Sequence, residues 1–219
     1  MRPGRGATLL AIGAVLAFVV LAVLVEINYT RSLDLAVREF FRPHDVWGDT
    51  QIRADVVVEG LKPTRVIPLA GVAVMLISVY RRSWRHAAYA ICLLGSSSLA
   101  ALTTKVLISR TDPHDEMSSL GSFPSGHVLV LLVCCGGLLL LICDRITWWK
   151  WLPVAVIDAA MAVSLLLQAA HWFTDVISGV LLGVAALAAT SGSPWRRVPS
   201  ATGGPTTEPA RPRSGQASL

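Results

Sequence analysis

Six apolar stretches separated by shorter polar or charged segments set the pattern of the chain. A helix that crosses a bilayer needs ~20 mostly apolar residues, within a range of ~17–25. Ala7 to Val25, His86 to Thr104, His127 to Cys143 and Trp151 to Ala170 meet that length. The run Ser96, Ser97, Ser98 does not break the second of these, because small polar residues suit helix contacts in lipid. Val66 to Tyr80 is short and Trp172 to Thr190 carries Asp175 near its start; both are read as spanning as well. The pattern therefore predicts an all-α integral membrane protein, a bundle of six transmembrane helices. Between the first and second spans, Asn28 to Arg65 is polar. Within it Leu33, Leu35, Ala36, Val37, Phe40 and Phe41 alternate with Asp34, Arg38 and Glu39, which predicts a short amphipathic helix at the membrane interface. From Ser191 to Leu219 the chain is rich in Pro, Gly, Ser, Thr and Arg, with almost no large apolar residue after Val198. It reads as a disordered cytoplasmic tail. Three parts follow: a first transmembrane helix over 1–27, a membrane domain over 28–190, and the tail over 191–219.

Composition sharpens the picture. Apolar residues of the AVILMFWYC set make up 53% of the 219 residues and charged residues only 15%, against ~25% charged in soluble domains. That excludes a soluble domain, disorder over most of the chain, a collagen-like repeat and a disulfide scaffold. The net charge of +5 would suggest nucleic acid as a partner in a soluble protein. Here the basic residues flank apolar segments, so they set orientation in a bilayer and no nucleic-acid partner is expected. Only Lys62, Lys105 and Lys150 among the 19 basic residues are lysines; with abundant Ala, Val, Gly and Pro this bias points to a GC-rich bacterial genome. Arg2 and Arg5 precede the first apolar run, as in a signal peptide. That run exceeds the ~7–15 residues of a signal core and no A-x-A site follows, so an uncleaved helix is expected. Arg2, Arg5, Arg81, Arg82, Arg85, Arg145, Lys150, Arg196 and Arg197 then fall on one side. The excess predicts a plasma-membrane protein with both termini cytoplasmic, and the loop Lys105–Gly126 and the turn at His171 outside. Cys92, Cys134, Cys135 and Cys143 lie in apolar runs without metal-ligand spacing and read as small core residues.

The outer polar segments carry the candidate chemistry. Pro124-Ser125-Gly126-His127 opens the fourth span. Helix starts present unpaired N–H groups and a positive dipole end, so this is either an anion site, with Gly126 admitting the anion to the backbone and Ser125 adding a hydroxyl, or an ordinary helix start with an interfacial histidine. His171 and Asp175 are four residues apart and share one helix face. A carboxylate there can hold an imidazole in one tautomer and stabilise its cation, as a histidine nucleophile needs, or make a lone interfacial hydrogen bond. Lys105 and Arg110 suit phosphate contact, or snorkelling to headgroups. Taken together, two histidines, a carboxylate, two cations and a helix start on one membrane face equip the chain for phosphoryl transfer through a phosphohistidine. No metal-ligand set accompanies them, so neither a metal nor another cofactor is expected.

These motifs resemble the type-2 phosphatidic-acid phosphatase family, which is related in fold to the vanadium haloperoxidases. The family pattern is K-x6-R-P, then P-S-G-H, then S-R-x5-H-x3-D, and the resemblance covers roughly Leu33 to Thr190. By resemblance Lys105, Arg110, Ser125 and Gly126 bind phosphate, His171 attacks phosphorus, Asp175 partners it, and His127 protonates the leaving oxygen. Two positions depart from the pattern: Asp112 stands where the first motif has arginine, and Leu165 where the third does. Arg110 replaces one phosphate contact; the other has no obvious substitute. The resemblance implies a metal-independent membrane phosphatase that removes phosphate from a lipid phosphomonoester or pyrophosphate at the outer face, on polyprenyl pyrophosphate, phosphatidate or phosphatidylglycerol phosphate. A degenerate lipid-phosphate binder without turnover is the alternative the two departures raise, and a small transporter or scaffold is a further one. Asp158, inside the fifth span, reads as a buried interhelix contact or as a functional group.

Overall fold

The structure, a computed structural model, describes residues 4–114, 121–143 and 146–196. Among these residues the chain forms eight α-helices and no strand: α1 (Arg5–Glu26), α2 (Arg31–Phe41), α3 (Asp49–Leu61), α4 (Pro63–Tyr80), α5 (Arg85–Ile108), α6 (Gly126–Ile142), α7 (Leu152–Leu167) and α8 (Phe173–Thr190). Short 3-10 turns at Pro43–Asp45, Trp148–Trp151 and Pro194–Arg196 complete them. Five apolar helical segments reach membrane length: α1, the joined run Asp49–Tyr80, α5, Trp148–Leu167 and α8. The sixth apolar helix, α6, has 17 residues.

α6 is the centre of the bundle and packs against α4, α5, α7 and α8. Its sequence is apolar on every face, as a helix enclosed by others requires. α1 lies on α8, and α3 lies on α7. Around this centre the burial pattern is the reverse of a soluble protein. Leu9, Leu16, Leu69, Leu76, Ile91, Leu99 and Leu107 are exposed, whereas Asp34, His86, Ser125, Asp158, Thr174, Asp175 and Ser178 are buried. Lipid is as apolar as leucine, so close packing and polar contacts rather than water exclusion hold such helices together. Gly179 and Gly183 on α8 supply the close packing. A Cβ at Gly179 would stand 2.7 Å from the Ser125 carbonyl oxygen, and one at Gly183 would stand 2.8 Å from Leu132. The start of α8 therefore meets the start of α6 backbone to backbone, and the Ser125 N–H donates to the Asp175 carbonyl at 2.9 Å.

The polar segment between the first two spans differs from expectation. The amphipathic helix is there as α2, but α3 follows it and is not predicted by the pattern. Gln51 Oε1 accepts the Gly48 N–H at 3.0 Å and starts α3. Extended backbone at Lys62 and proline at the first position of α4 separate the two helices. Residues 191–196 of the expected tail are among those described. Arg196 is buried and donates to the carbonyl oxygens of Leu140, at 2.7 Å, and Cys143, at 3.2 Å. These are end-of-helix acceptors of α6, so a cation is well placed there. The remainder of the expected tail, 197–219, lies outside the described residues.

Candidate active site

The site forms where the starts of α6 and α8 meet. Ser125 precedes the first turn of α6; it is fully buried, and its Oγ has no hydrogen-bond partner among the described residues. Gly126 opens the helix, and the position of its missing Cβ faces open space, so its backbone is accessible from that side. His127 follows. Its ring lies 5.8 Å from that of His171, centroid to centroid, with the planes inclined at 68°.

His171 sits in the connection between α7 and α8, two residues before α8. That connection is built by the end of α7: Ala169 takes φ 52°, and the Ala170 N–H bonds back to the Leu165 carbonyl at 3.0 Å. The pairing closes the helix in the Schellman manner, with alanine where glycine is usual, and turns the chain so that His171 faces His127. Asp175 is the third residue of α8. Its Oδ2 accepts the Trp172 N–H at 3.1 Å, a helix-capping contact, and lies 3.6 Å from His171 Nδ1. That second separation is an ion-pair distance, longer than a hydrogen bond.

Arg110, expected as a phosphate contact, is engaged by groups of the protein. Its Nη1 donates to Asp175 Oδ1 at 2.8 Å and to Thr174 Oγ1 at 2.7 Å, and its Nη2 donates to Asp34 Oδ2 at 2.6 Å. Its guanidinium also lies over the Trp172 ring, 5.2 Å from the centroid. It bridges two fully buried carboxylates. Lys105, from the last turn of α5, donates to the carbonyl oxygens of Gly121 and Ser122 at 2.8 and 3.2 Å. These acceptors are neutral, and the ammonium is within electrostatic reach of both Asp175 and His127. Thr111 and Ser122, on either side of residues 115–120, are held together at the site through the Thr111 carbonyl, which accepts from Ser122 Oγ and Trp172 Nε1.

The two departures from the family pattern have distinct surroundings. Leu165 is 1% exposed inside an apolar cluster with Val128, Leu131, Cys134, Met161 and Val176. Asp112 uses Oδ1 to accept the His114 N–H at 2.9 Å, a turn in the connection after α5. Asp158 is buried on the wall of an apolar cleft between α7 and α8, and its Oδ1 has no hydrogen-bond partner among the described residues.

Asp34 is the participant that sequence reasoning missed. It is the buried residue of α2, and it accepts from Thr30 Oγ1, the Thr174 N–H, Thr174 Oγ1 and Arg110. The local pattern places it on the polar face of an amphipathic helix. Its partner Thr174 lies 140 positions away, which no local signal reveals. Among the described residues, no group of three His, Cys, Asp or Glu side chains is arranged to hold a metal ion.

The family model described as the PAP2 superfamily matches residues 88–199, just over half of the chain. The chain belongs to the PAP2 superfamily. Its fold is that of the crystal structure of a transmembrane PAP2-type phosphatidylglycerolphosphate phosphatase from Bacillus subtilis. The TM-score is 0.71 at 19% identity, over 81% of this chain and 92% of that one. No curated protein sequence matches the chain.

Proposed function

We propose that this protein is a membrane phosphatase that hydrolyses a lipid phosphomonoester or pyrophosphate through a phosphohistidine. The observation that carries the reading is the facing pair His127 and His171 at the open start of α6, with Asp175 behind His171. His171 Nδ1 is turned to Asp175, which leaves Nε2 to attack phosphorus. As the N–P bond forms, the bond from phosphorus to the lipid oxygen breaks, and His127 gives that oxygen a proton. Water then attacks the phosphohistidine while His127 takes a proton from it, releasing inorganic phosphate and restoring His171. The Gly126 N–H, the unpartnered Ser125 hydroxyl and the Lys105 ammonium hold the phosphoryl oxygens, whose charge grows in the transition state. Arg110 acts from behind, through Asp175.

A second reading rests on Leu165 and on the engagement of Arg110: with two guanidinium contacts withdrawn from the phosphate, the site binds lipid phosphate without turning it over. Phosphate release separates the two. The purified protein is offered phosphatidylglycerol phosphate, phosphatidate and a polyprenyl pyrophosphate in lipid nanodiscs, with chelator in excess. Release from at least one of them, abolished by His171→Ala, is the expected result. His127→Ala is expected to lower release strongly, because both the formation and the hydrolysis of the phosphohistidine lose their proton-transfer group. Binding of all three without release supports the second reading. Loss of release in chelator with rescue by a divalent cation contradicts the metal-independent mechanism.

A further inference from the structure

Asp34 and Arg38 lie four residues apart on one face of α2, and Arg42 is the non-helical residue that ends the helix. Asp34 and Arg42 are both fastened to the α7–α8 region. Asp34 accepts from the Thr174 N–H at 3.0 Å, and Arg42 Nη1 donates to the Gln168 carbonyl at 2.7 Å. Between them, Arg38 and Asp34 border a small void with His171 and Trp172. α2 thus lies directly against the connection that carries His171, although it falls outside residues 88–199 matched by the family model.

The charge arrangement gives this packing a purpose. One guanidinium meets two buried carboxylates, Asp34 on Nη2 and Asp175 on Nη1. An arginine facing a single carboxylate tends to a bidentate, fork-to-fork pair that takes both oxygens. Here the second carboxylate holds the other nitrogen, so Asp175 gives Arg110 only Oδ1 and keeps Oδ2 for the Trp172 N–H and the His171 ring. Arg38, which borders the same void, and Lys105 add positive charge nearby, so what Asp34 supplies is the placement of the Arg110 guanidinium and not a local excess of negative charge.

We propose that Asp34 is a positioning residue of the active centre: it holds one half of the Arg110 guanidinium, so that Asp175 remains directed at His171. The inference rests on the reading of His171 as the nucleophile. It makes the interfacial helix α2 a part of the active site and not only a membrane contact.

The test measures phosphate release and vanadate binding by the full-length protein in nanodiscs. Asp34→Asn keeps the shape and removes the charge. It is expected to lower kcat on the order of 10–100-fold, with KM little changed because the phosphate ligands are untouched. In an Arg110→Gln background the same substitution is expected to cost far less, since there is no guanidinium left to share. Equal costs in both backgrounds reduce Asp34 to a structural contact and overturn the proposal. Should Asp34→Asn not fold, Arg110→Lys replaces it, because a single ammonium lacks the fork that spans two carboxylates. Wild-type kcat in Arg110→Lys also overturns the proposal. If the wild type binds lipid phosphate without releasing it, the proposed activity fails and vanadate decides. Vanadate adopts the five-coordinate geometry of phosphoryl transfer, and Asp34→Asn is expected to weaken its binding about tenfold or more. Unchanged vanadate binding, or none by the wild type, sinks the positioning role.

Discussion

A guanidinium at position 165 would enter an apolar cluster where Leu165 is 1% exposed between α6 and α8. The cluster members Val128, Leu131, Cys134, Met161 and Val176 around it are apolar. Leu165→Arg is therefore expected to destabilise the protein by about 3–5 kcal/mol, the cost of an uncompensated buried charge, without a gain in turnover. Leu165→Met, which conserves volume, is expected to cost under about 1.5 kcal/mol. Thermal unfolding in detergent, followed beside phosphate release, compares the two; a faster, equally stable Leu165→Arg protein contradicts the burial argument. The same scale shows what could be read in advance. His127, His171 and Asp175 announce themselves because each belongs to a short motif at a helix start. Asp34 and the bridging role of Arg110 do not. Their meaning lies in contacts between residues 34, 110 and 175, and a carboxylate that will be buried looks the same in sequence as one that will face solvent.

Among the elements, the apolar helices follow from hydropathy and length, and α2 from its alternation. α3 escapes because Asp49, Gln51, Arg53 and Asp55 precede Val56, Val57 and Val58, so neither a spanning nor an amphipathic pattern develops. Docking on α7 decides it instead: Gln168 Nε2 donates to Asp55 Oδ1 at 3.1 Å. The most consequential contact between elements is the approach of α8 to α6 at Gly179. A methyl group there would stand 2.7 Å from a backbone oxygen that cannot rotate away. Gly179→Ala is expected to separate the two helix starts, lowering stability by about 1–3 kcal/mol and kcat on the order of 10–100-fold as His171 moves off His127. Gly71→Ala on α4, where the new Cβ meets nothing within 4 Å, is the control and is expected to leave both quantities unchanged. Equal behaviour of the two variants contradicts the close-approach argument.

For the whole molecule, the two ends of the bundle differ in kind. One end holds the candidate site. The other gathers Arg81, Arg82, Arg85, Lys150 and Arg196 with Trp84, Trp148, Trp149 and Trp195, and Arg81 and Arg196 reach the last carbonyls of α6. Basic residues favour the cytoplasmic side, and tryptophans the headgroup level. We therefore expect the basic end inside and the site outside. In a variant without its four cysteines, Tyr29→Cys, at the site end and 75% exposed, is expected to react with an impermeant maleimide in intact cells. Trp148→Cys, 84% exposed at the basic end, is expected to react only after lysis. The opposite labelling pattern inverts the orientation. α2 carries one more consequence. It buries Asp34 and exposes Leu33, Leu35 and Phe40; on the proposed function we expect these side chains to set the rim of the site among lipids, and a lipid substrate to arrive by lateral diffusion. Its encounter rate follows the number of substrate molecules per unit of membrane area: admixing inert lipid slows the reaction, whereas thinning the vesicle suspension with buffer leaves turnover per enzyme as it was.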